Sequence, residues 1–117
     1  MEISGQAVLL RIFVGESDKL GHAPMHEAIV HRARDAGLAG ATVLKGVLGY
    51  GASARIRTAK ILDLSADLSM VVEIVDEEEK VDAFIAILSG LFEEAGCGGL
   101  VTLENIRVIH YLPEKAN

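Results

Sequence analysis

Two stretches of this chain close a helical pattern in the same way, half a chain apart. Ala36-Gly37-Leu38-Ala39-Gly40 follows one amphipathic run and Ala95-Gly96-Cys97-Gly98-Gly99 follows another, with Ala36 and Ala95 standing 59 positions apart in 117 residues. Ala-Gly-x-x-Gly alone says only that a helix stops, because glycine takes the left-handed conformation that ends one. Its recurrence, with an apolar strand-like segment before each helix and a Thr-containing strand after it, points to a duplicated strand–helix–strand unit. A chain of this length, 1–117, has material for one such pair around one core and is expected to form one domain.

Gln6 to Val14 is nearly all apolar, with Val8, Leu10, Ile12 and Val14 on one alternating face and Ala7, Leu9 and Phe13 on the other. That pattern predicts a strand covered on both sides. Gly15 to Lys19 turns away, and a helix begins near Pro24, a residue suited to a first turn. Met25, Ile29, Arg32/Ala33 and Ala36 make its inner stripe, and Gly37 is its closing residue. Thr42 to Tyr50 reads as a second strand interrupted by Gly46 and Gly49, a long polar-cationic loop runs from Gly51 to about Asp67, and Met70 to Val75 reads as a third strand. Asp76 is expected to cap the second helix with Glu79 as its capping-box partner. Val81, Phe84, Ile85, Leu88, Leu91, Phe92 and Ala95 then recur at helical spacing, Gly96 stops the helix, and Ile106 to Tyr111 supplies a last strand. The order is βαββαβ, which predicts an α+β chain: a ferredoxin-like two-layer sandwich with an antiparallel sheet. Such a sandwich leaves one sheet face bare, and the two apolar faces of the first strand predict that other copies cover it, in a homo-oligomer.

Composition narrows the function classes. The formal charge is −6, Trp is absent and aromatic residues make up 4% of the chain, so neither the basic footprint nor the stacking surface of a nucleic-acid binder is present. No apolar run approaches the roughly 20 residues of a membrane helix, and direct membrane insertion is not expected. Met1 to Gly5 lacks the pattern of a signal peptide, and a single Cys97 suits a reducing, cytoplasmic setting.

Charge is unevenly spread. Between Leu38 and Leu62 lie Lys45, Arg55, Arg57 and Lys60 and no acidic residue, which leaves 7 basic and 17 acidic residues elsewhere. Within the stretch runs Gly49-Tyr50-Gly51-Ala52-Ser53-Ala54-Arg55-Ile56-Arg57. Glycines let backbone approach a ligand, and arginines two apart project to one side of an extended segment, where their planar forks suit phosphate or carboxylate. The segment is therefore a candidate anion site, a docking surface for an acidic partner, or a solvated hairpin. Glu16, Ser17, Asp18 and Lys19, after the first strand, could meet a ribose or a phosphate, or form an ordinary turn.

At this point a family resemblance is visible. Glu16-Ser17-Asp18-Lys19, Glu27-Ala28-Ile29-Val30, Ala36 to Val43, Gly49-Tyr50-Gly51-Ala52-Ser53 and Val72-Glu73-Ile74-Val75-Asp76 resemble the domain of unknown function 190 family over nearly the whole chain. That family is similar in fold to the nitrogen-regulatory PII signalling proteins, trimers that bind adenine nucleotides (ATP, ADP or AMP) in clefts between subunits and touch targets through a long T-loop. The resemblance implies a homotrimer and a signal-transduction role. It implies nucleotide contacts at Gly49, Tyr50, Gly51, Ala52, Ser53, Arg55, Arg57, Glu16, Asp18, Lys19, Gly98 and Gly99, with Ala52 to Ser65 as the T-loop counterpart. The lysine of the PII phosphate loop is missing beside Gly96-Cys97-Gly98-Gly99, which leaves two alternatives: phosphate recognition shifted to Arg55, Arg57 and Lys19, or absent. Family members look to be encoded near fluoride-channel genes, which points to a transporter or channel as partner. The metal-tolerance CutA proteins share this fold, so a metal-binding trimer is the alternative, and a small enzyme in the same cleft a third.

The remaining chemistry-bearing residues form no recognisable catalytic set. His26 and His31 are about 500° apart around a helix and share no face, and His22 precedes the helix, so no metal site is expected. Cys97 follows a helix C-terminus, the wrong end to activate a thiol, and no enzyme activity is expected. His110 is assigned to structure or to a subunit contact.

Overall fold

In a computed structural model the described residues are 5–60 and 67–113. The chain runs β1 (Gln6–Gly15), β2 (Lys19–Leu20), β3 (Ala23–Pro24), α1 (Met25–Asp35), β4 (Thr42–Lys45), β5 (Leu48–Gly49), β6 (Arg57–Thr58), β7 (Ser69–Asp76), α2 (Glu78–Ala95) and β8 (Leu100–Arg107). The four long strands form one sheet in the order β4-β7-β1-β8, every pair antiparallel. This is the ferredoxin-like arrangement the repeat predicts, with the two pairs β2–β3 and β5–β6 added in its connections.

Register explains the layering. Val8, Leu10, Ile12 and Val14 stand opposite Asp76, Ile74, Val72 and Met70, so these residues share one sheet face. Met25, Ile29 and Ala33 of α1 and Val81, Phe84, Leu88 and Leu91 of α2 pack onto it, and all are buried. Among the described residues, no helix packs on the opposite face. It carries Leu9, Phe13, Val71 and Val75, half-buried, with Arg11 at its centre, whose Nε and Nη1 donate at 2.7 Å to Glu73 and Glu104 respectively. Both helices end as the glycines require: Gly37 (φ +81°) and Gly96 (φ +66°) lie in the left-handed region. Among the described residues, no helix is long and apolar enough to cross a membrane.

Several expectations are corrected. The last strand is Leu100–Arg107, not Ile106 to Tyr111: it is a largely exposed edge strand in which the adjacent polar Glu104 and Asn105 interrupt the apolar pattern. Thr42 to Tyr50 is not one strand: β4 stops at Lys45, Gly46 N–H donates to Ser69 O, and Leu48–Gly49 turns into a second ladder with Arg57–Thr58. The loop after Gly51 is therefore a short hairpin at its start, and its residues 61–66 lie outside the described residues. Asp76 does not cap α2. It ends β7, fully buried, and accepts the N–H of Ala39 at 2.8 Å and of Glu77 at 2.7 Å, while Glu77 takes the N-cap position with no side-chain cap bond. In α1, Arg32 and Ala36 face solvent, so its inner stripe is Met25, Ile29 and Ala33.

Candidate functional site at one end of the sheet

Antiparallel pairing gathers the sequence-derived site residues at a single end of the sheet. Gly15 pairs with Ser69, Lys45 with Met70 and Phe13 with Leu100, so the turn after β1, the hairpin after β4 and the glycines before β8 all emerge there.

The hairpin supplies the cavity. Leu48 stands opposite Thr58 and Gly49 opposite Arg57, and Ala59 N–H donates to Val47 O at 2.9 Å, closing the ladder at its base. At its far end Ala54 N–H donates to Gly51 O, a tight turn that holds Ala54 at φ +60°. Gly49, Tyr50, Gly51, Ser53 and Arg57 line a cavity of about 180 Å³ against Asp67 and the start of β7. Ala52 and Arg55 lie on the hairpin outside the lining; the Arg55 N–H reaches Ser53 Oγ at 3.5 Å.

The β1 turn is tied to this cavity through a residue that sequence reasoning names only as the end of a loop. Asp67 lines the cavity, and its Oδ1 accepts the Ser17 N–H at 2.8 Å. Nearby, Asp18 Oδ2 accepts the Gly15 N–H, Glu16 N–H donates to Leu68 O, and Glu16 pairs with Lys45 at 2.7 Å. Glu16 and Asp18 thus hold the turn, and Lys45 is engaged by a carboxylate; Lys19 is exposed on β2. Nothing in the sequence around Asp67 marks it, because its role depends on β7 bringing it beside β1.

Gly98 and Gly99 are placed differently. They precede β8, at the opposite edge of the sheet from β4, roughly 14 Å away at about 4.8 Å per strand. Gly99 serves packing: a Cβ there would stand 2.6 Å from Phe92 Cε1 and 2.9 Å from Phe13 O. Gly98 has open space around it. Cys97 packs against the core, and its burial, with the negative charge of Asp18 added, pushes the thiol pKa up. A protonated thiol is a poor nucleophile, in keeping with the expectation drawn from its helix end. Among the described residues, no group of three His, Cys, Asp or Glu side chains stands where it could hold a metal ion. His110 lines a separate cavity on the bare sheet face with Leu9, Thr42, Glu73 and Tyr111.

Magnitude limits what this end of one chain can do. Small-molecule sites usually enclose about 300–1,000 Å³, and the hairpin cavity is smaller, with room for a phosphate or a ring but not for a whole nucleotide. One chain therefore presents two partial surfaces, the hairpin cavity at one edge and the Gly98–Gly99 segment at the other.

Comparison with known proteins matches this architecture. The solved structure of CPII from Thiomonas intermedia K12, a nitrogen regulatory PII-like protein bound to ADP, AMP and bicarbonate, superposes with a TM-score of 0.64 at 19% identity, covering 88% of each chain. A PII-like signaling protein (TTHA0516) from Thermus thermophilus gives 0.65 at 16% identity over 92% of this chain and 94% of that one. At these identities the likeness establishes the fold. In sequence, a UPF0166 protein of Aquifex aeolicus (strain VF5) is 40% identical over 102 residues, 87% of this chain and 92% of its own. A UPF0166 protein of Methanocaldococcus jannaschii is 32% identical over 103 residues, 88% and 92% of the two chains. The family model of DUF190, described as "Uncharacterized ACR", matches residues 7–108. With its PII-like fold and a family match over nearly its whole length, the chain is a member of the DUF190 family.

Proposed function

We propose that this protein is a PII-like signalling protein that binds an adenine nucleotide in clefts between the subunits of a homotrimer and uses its hairpin to act on a partner. The observation that carries the reading is the split site. The Gly49–Arg57 cavity and the Gly98–Gly99 segment occupy opposite edges of one sheet, and the cavity alone is too small for a nucleotide. A neighbouring copy that sets its β8 edge beside the β4 edge would join the two surfaces into one cleft, with the bare sheet faces turned toward one another. The nucleotides bound by CPII, which has the same fold, support an adenine ligand.

In this reading Gly49 and Gly51 let backbone N–H groups approach the ligand, Tyr50 packs against the base, and Arg57 neutralises phosphate charge with Arg55 and Lys19 beside it. Asp67 offers a carboxylate to a ribose hydroxyl or to the base amino group. Because the same hairpin both lines the cavity and stands in solvent, ligand contact at Arg57 changes the surface it presents, the coupling expected of an order–disorder or positional switch. The partner is a transporter or channel in the reading the family resemblance favours. The chemistry is binding, with no covalent step.

Isothermal titration with ATP, ADP, AMP and cyclic AMP, with and without Mg²⁺, tests the reading. Saturable micromolar binding to at least one is expected, and Arg57→Ala should weaken it by about tenfold, the cost of about one charge-assisted contact. No heat with any of the four nucleotides overturns it.

A further inference from the structure

The end of the bare sheet face away from the hairpin is enclosed by the chain itself. Leu9 pairs with Val75 there, and Thr42 with Glu73. β8 lies on the far side of β1 from β7 and β4, yet Val108, His110 and Tyr111, which follow β8, share a cavity with these residues. The segment after β8 therefore turns back across the face toward β4. The cavity between them measures about 440 Å³, within the range of small-molecule sites.

The fixed charge of this cavity has one sign. Leu9, Val75 and Val108 are half-buried apolar walls, and Glu73 brings a carboxylate among them with 28% of its side chain exposed. Among the described residues that line it there is no lysine or arginine. Glu73 is bonded to Arg11, but Arg11 divides its single positive charge between Glu73 and Glu104, which leaves one negative charge uncompensated. Arg11 Nε donates to Oε2 of Glu73; a carboxylate has about four lone-pair sites, so Oε1 keeps its capacity to accept.

We propose that this cavity binds a primary ammonium compound with an apolar body, of the arylalkyl amine type. An anion would meet Glu73 with no basic side chain to offset the repulsion. A half-buried carboxylate short of counter-charge favours a cation over a neutral ligand, because charge-assisted hydrogen bonds are about twice as strong as neutral ones. Among cations, a guanidinium grips a carboxylate through both oxygens, and Arg11 already holds one; an ammonium needs only the other. A quaternary amine has no N–H to give. The apolar body packs on Leu9, Val75 and Val108, and Tyr111 supplies an aromatic wall of the kind that attracts cations. The inference does not rest on the nucleotide reading, because the cavity and the hairpin lie at opposite ends of the sheet.

Amide chemical-shift titration of the full chain with phenethylamine tests it at about pH 8, above the range in which histidine side chains carry charge. The amine should bind saturably, with Kd of roughly 1 mM or below. It should move the amides of Ala39 to Thr42, Val75 and Val108 to Tyr111 and leave those of Gly49 to Arg57 in place. Its neutral and anionic counterparts, 2-phenylethanol and phenylacetate, should bind about tenfold more weakly or not at all. Glu73→Gln keeps an oxygen for Arg11 while removing the charge, and should weaken the amine by about tenfold. Tyr111→Ala, at an exposed position outside the core, should weaken it by about threefold with an unchanged circular dichroism spectrum. If Glu73→Gln does not fold, Tyr111→Ala and the three-ligand comparison decide the matter. Equal affinity for the amine and the alcohol overturns the inference, since the cavity then reads shape alone. Shifts confined to the acidic start of α2, at Glu78, Glu79 and Asp82, are adhesion to surface charge and overturn it as well. So does the absence of saturable binding, or amine affinity that a folded Glu73→Gln leaves intact.

Discussion

At the scale of single residues, Gly98 and Gly99 look alike in the sequence and differ in the fold. A Cβ at 99 would press on the Phe92 ring and on the Phe13 carbonyl, and the backbone carbonyl cannot yield without moving β1. Gly99→Ala is expected to cost about 1–3 kcal/mol, read as a lower denaturant midpoint, whereas Gly98→Ala should stay within about 0.5 kcal/mol of the parent. Equal effects would show that the glycine pair is kept for something other than this packing. Cys97 allows a second test. Burial first, and then the Asp18 carboxylate, disfavour the thiolate, so its pKa lies above that of an ordinary cysteine. Alkylation of Cys97 should rise with pH along a curve displaced to higher pH than for a free thiol. Asp18→Asn keeps an oxygen for the Gly15 N–H but removes the charge, so the curve should move back toward lower pH and the rate at neutral pH should increase. An unchanged profile would leave burial as the sole cause.

At the scale of elements, the hairpin is held by few bonds. Its ladder rests on two residue pairs and on the Ala59 N–H to Val47 O bond, and its tip places Ala54 in a left-handed conformation that costs an L-residue about 1–2 kcal/mol. Asparagine tolerates that conformation and a β-branched residue does not. Ala54→Asn should slow hydrogen exchange of the Ala59 amide by roughly threefold to fivefold, the factor that corresponds to about 1 kcal/mol, and Ala54→Val should speed it. The elements also show what is legible in the sequence. Both helices, the inner stripe of α2, both helix-ending glycines and the central strands follow from periodicity because each buries a continuous face. The apolar pattern places the start of β8 at Ile106 instead of Leu100, because the adjacent polar Glu104 and Asn105 break the alternation inside an edge strand whose residues are mostly exposed. The capping rule misreads Asp76 because it concerns local spacing, whereas the carboxylate is claimed by Ala39, 37 positions away in the chain. The cationic stretch marks the hairpin face of the candidate site. Asp67, which ties that site to the β1 turn through Ser17, depends on a contact across 50 positions, and no local pattern encodes such a contact.

At the scale of the whole molecule, the bare sheet face governs the rest. It presents Leu9, Phe13, Val71 and Val75 around an Arg11 held by two carboxylates, with Leu44 and Leu100 exposed at its two edges. Its charged groups already hydrogen-bond to one another, so a neighbouring copy that covers this face meets carboxylates already bonded to Arg11, with one net negative charge left to be balanced or kept at the rim. Leu44 pairs with Val71 and Leu100 with Phe13 on that face, and neither belongs to the helix-covered core. Sedimentation at micromolar concentration is expected to give a species near three times the 12.5 kDa protomer. Leu44→Asp and Leu100→Asp should each shift it toward the protomer while helical content stays constant, because a new carboxylate on the covered face would be desolvated without a partner. The nucleotide reading requires that affinity fall with assembly in these variants, although neither leucine lines the hairpin cavity. A parent chain that sediments as a protomer, or a dissociated variant that binds nucleotide as tightly as the parent, would place the whole site within one chain and remove the shared cleft.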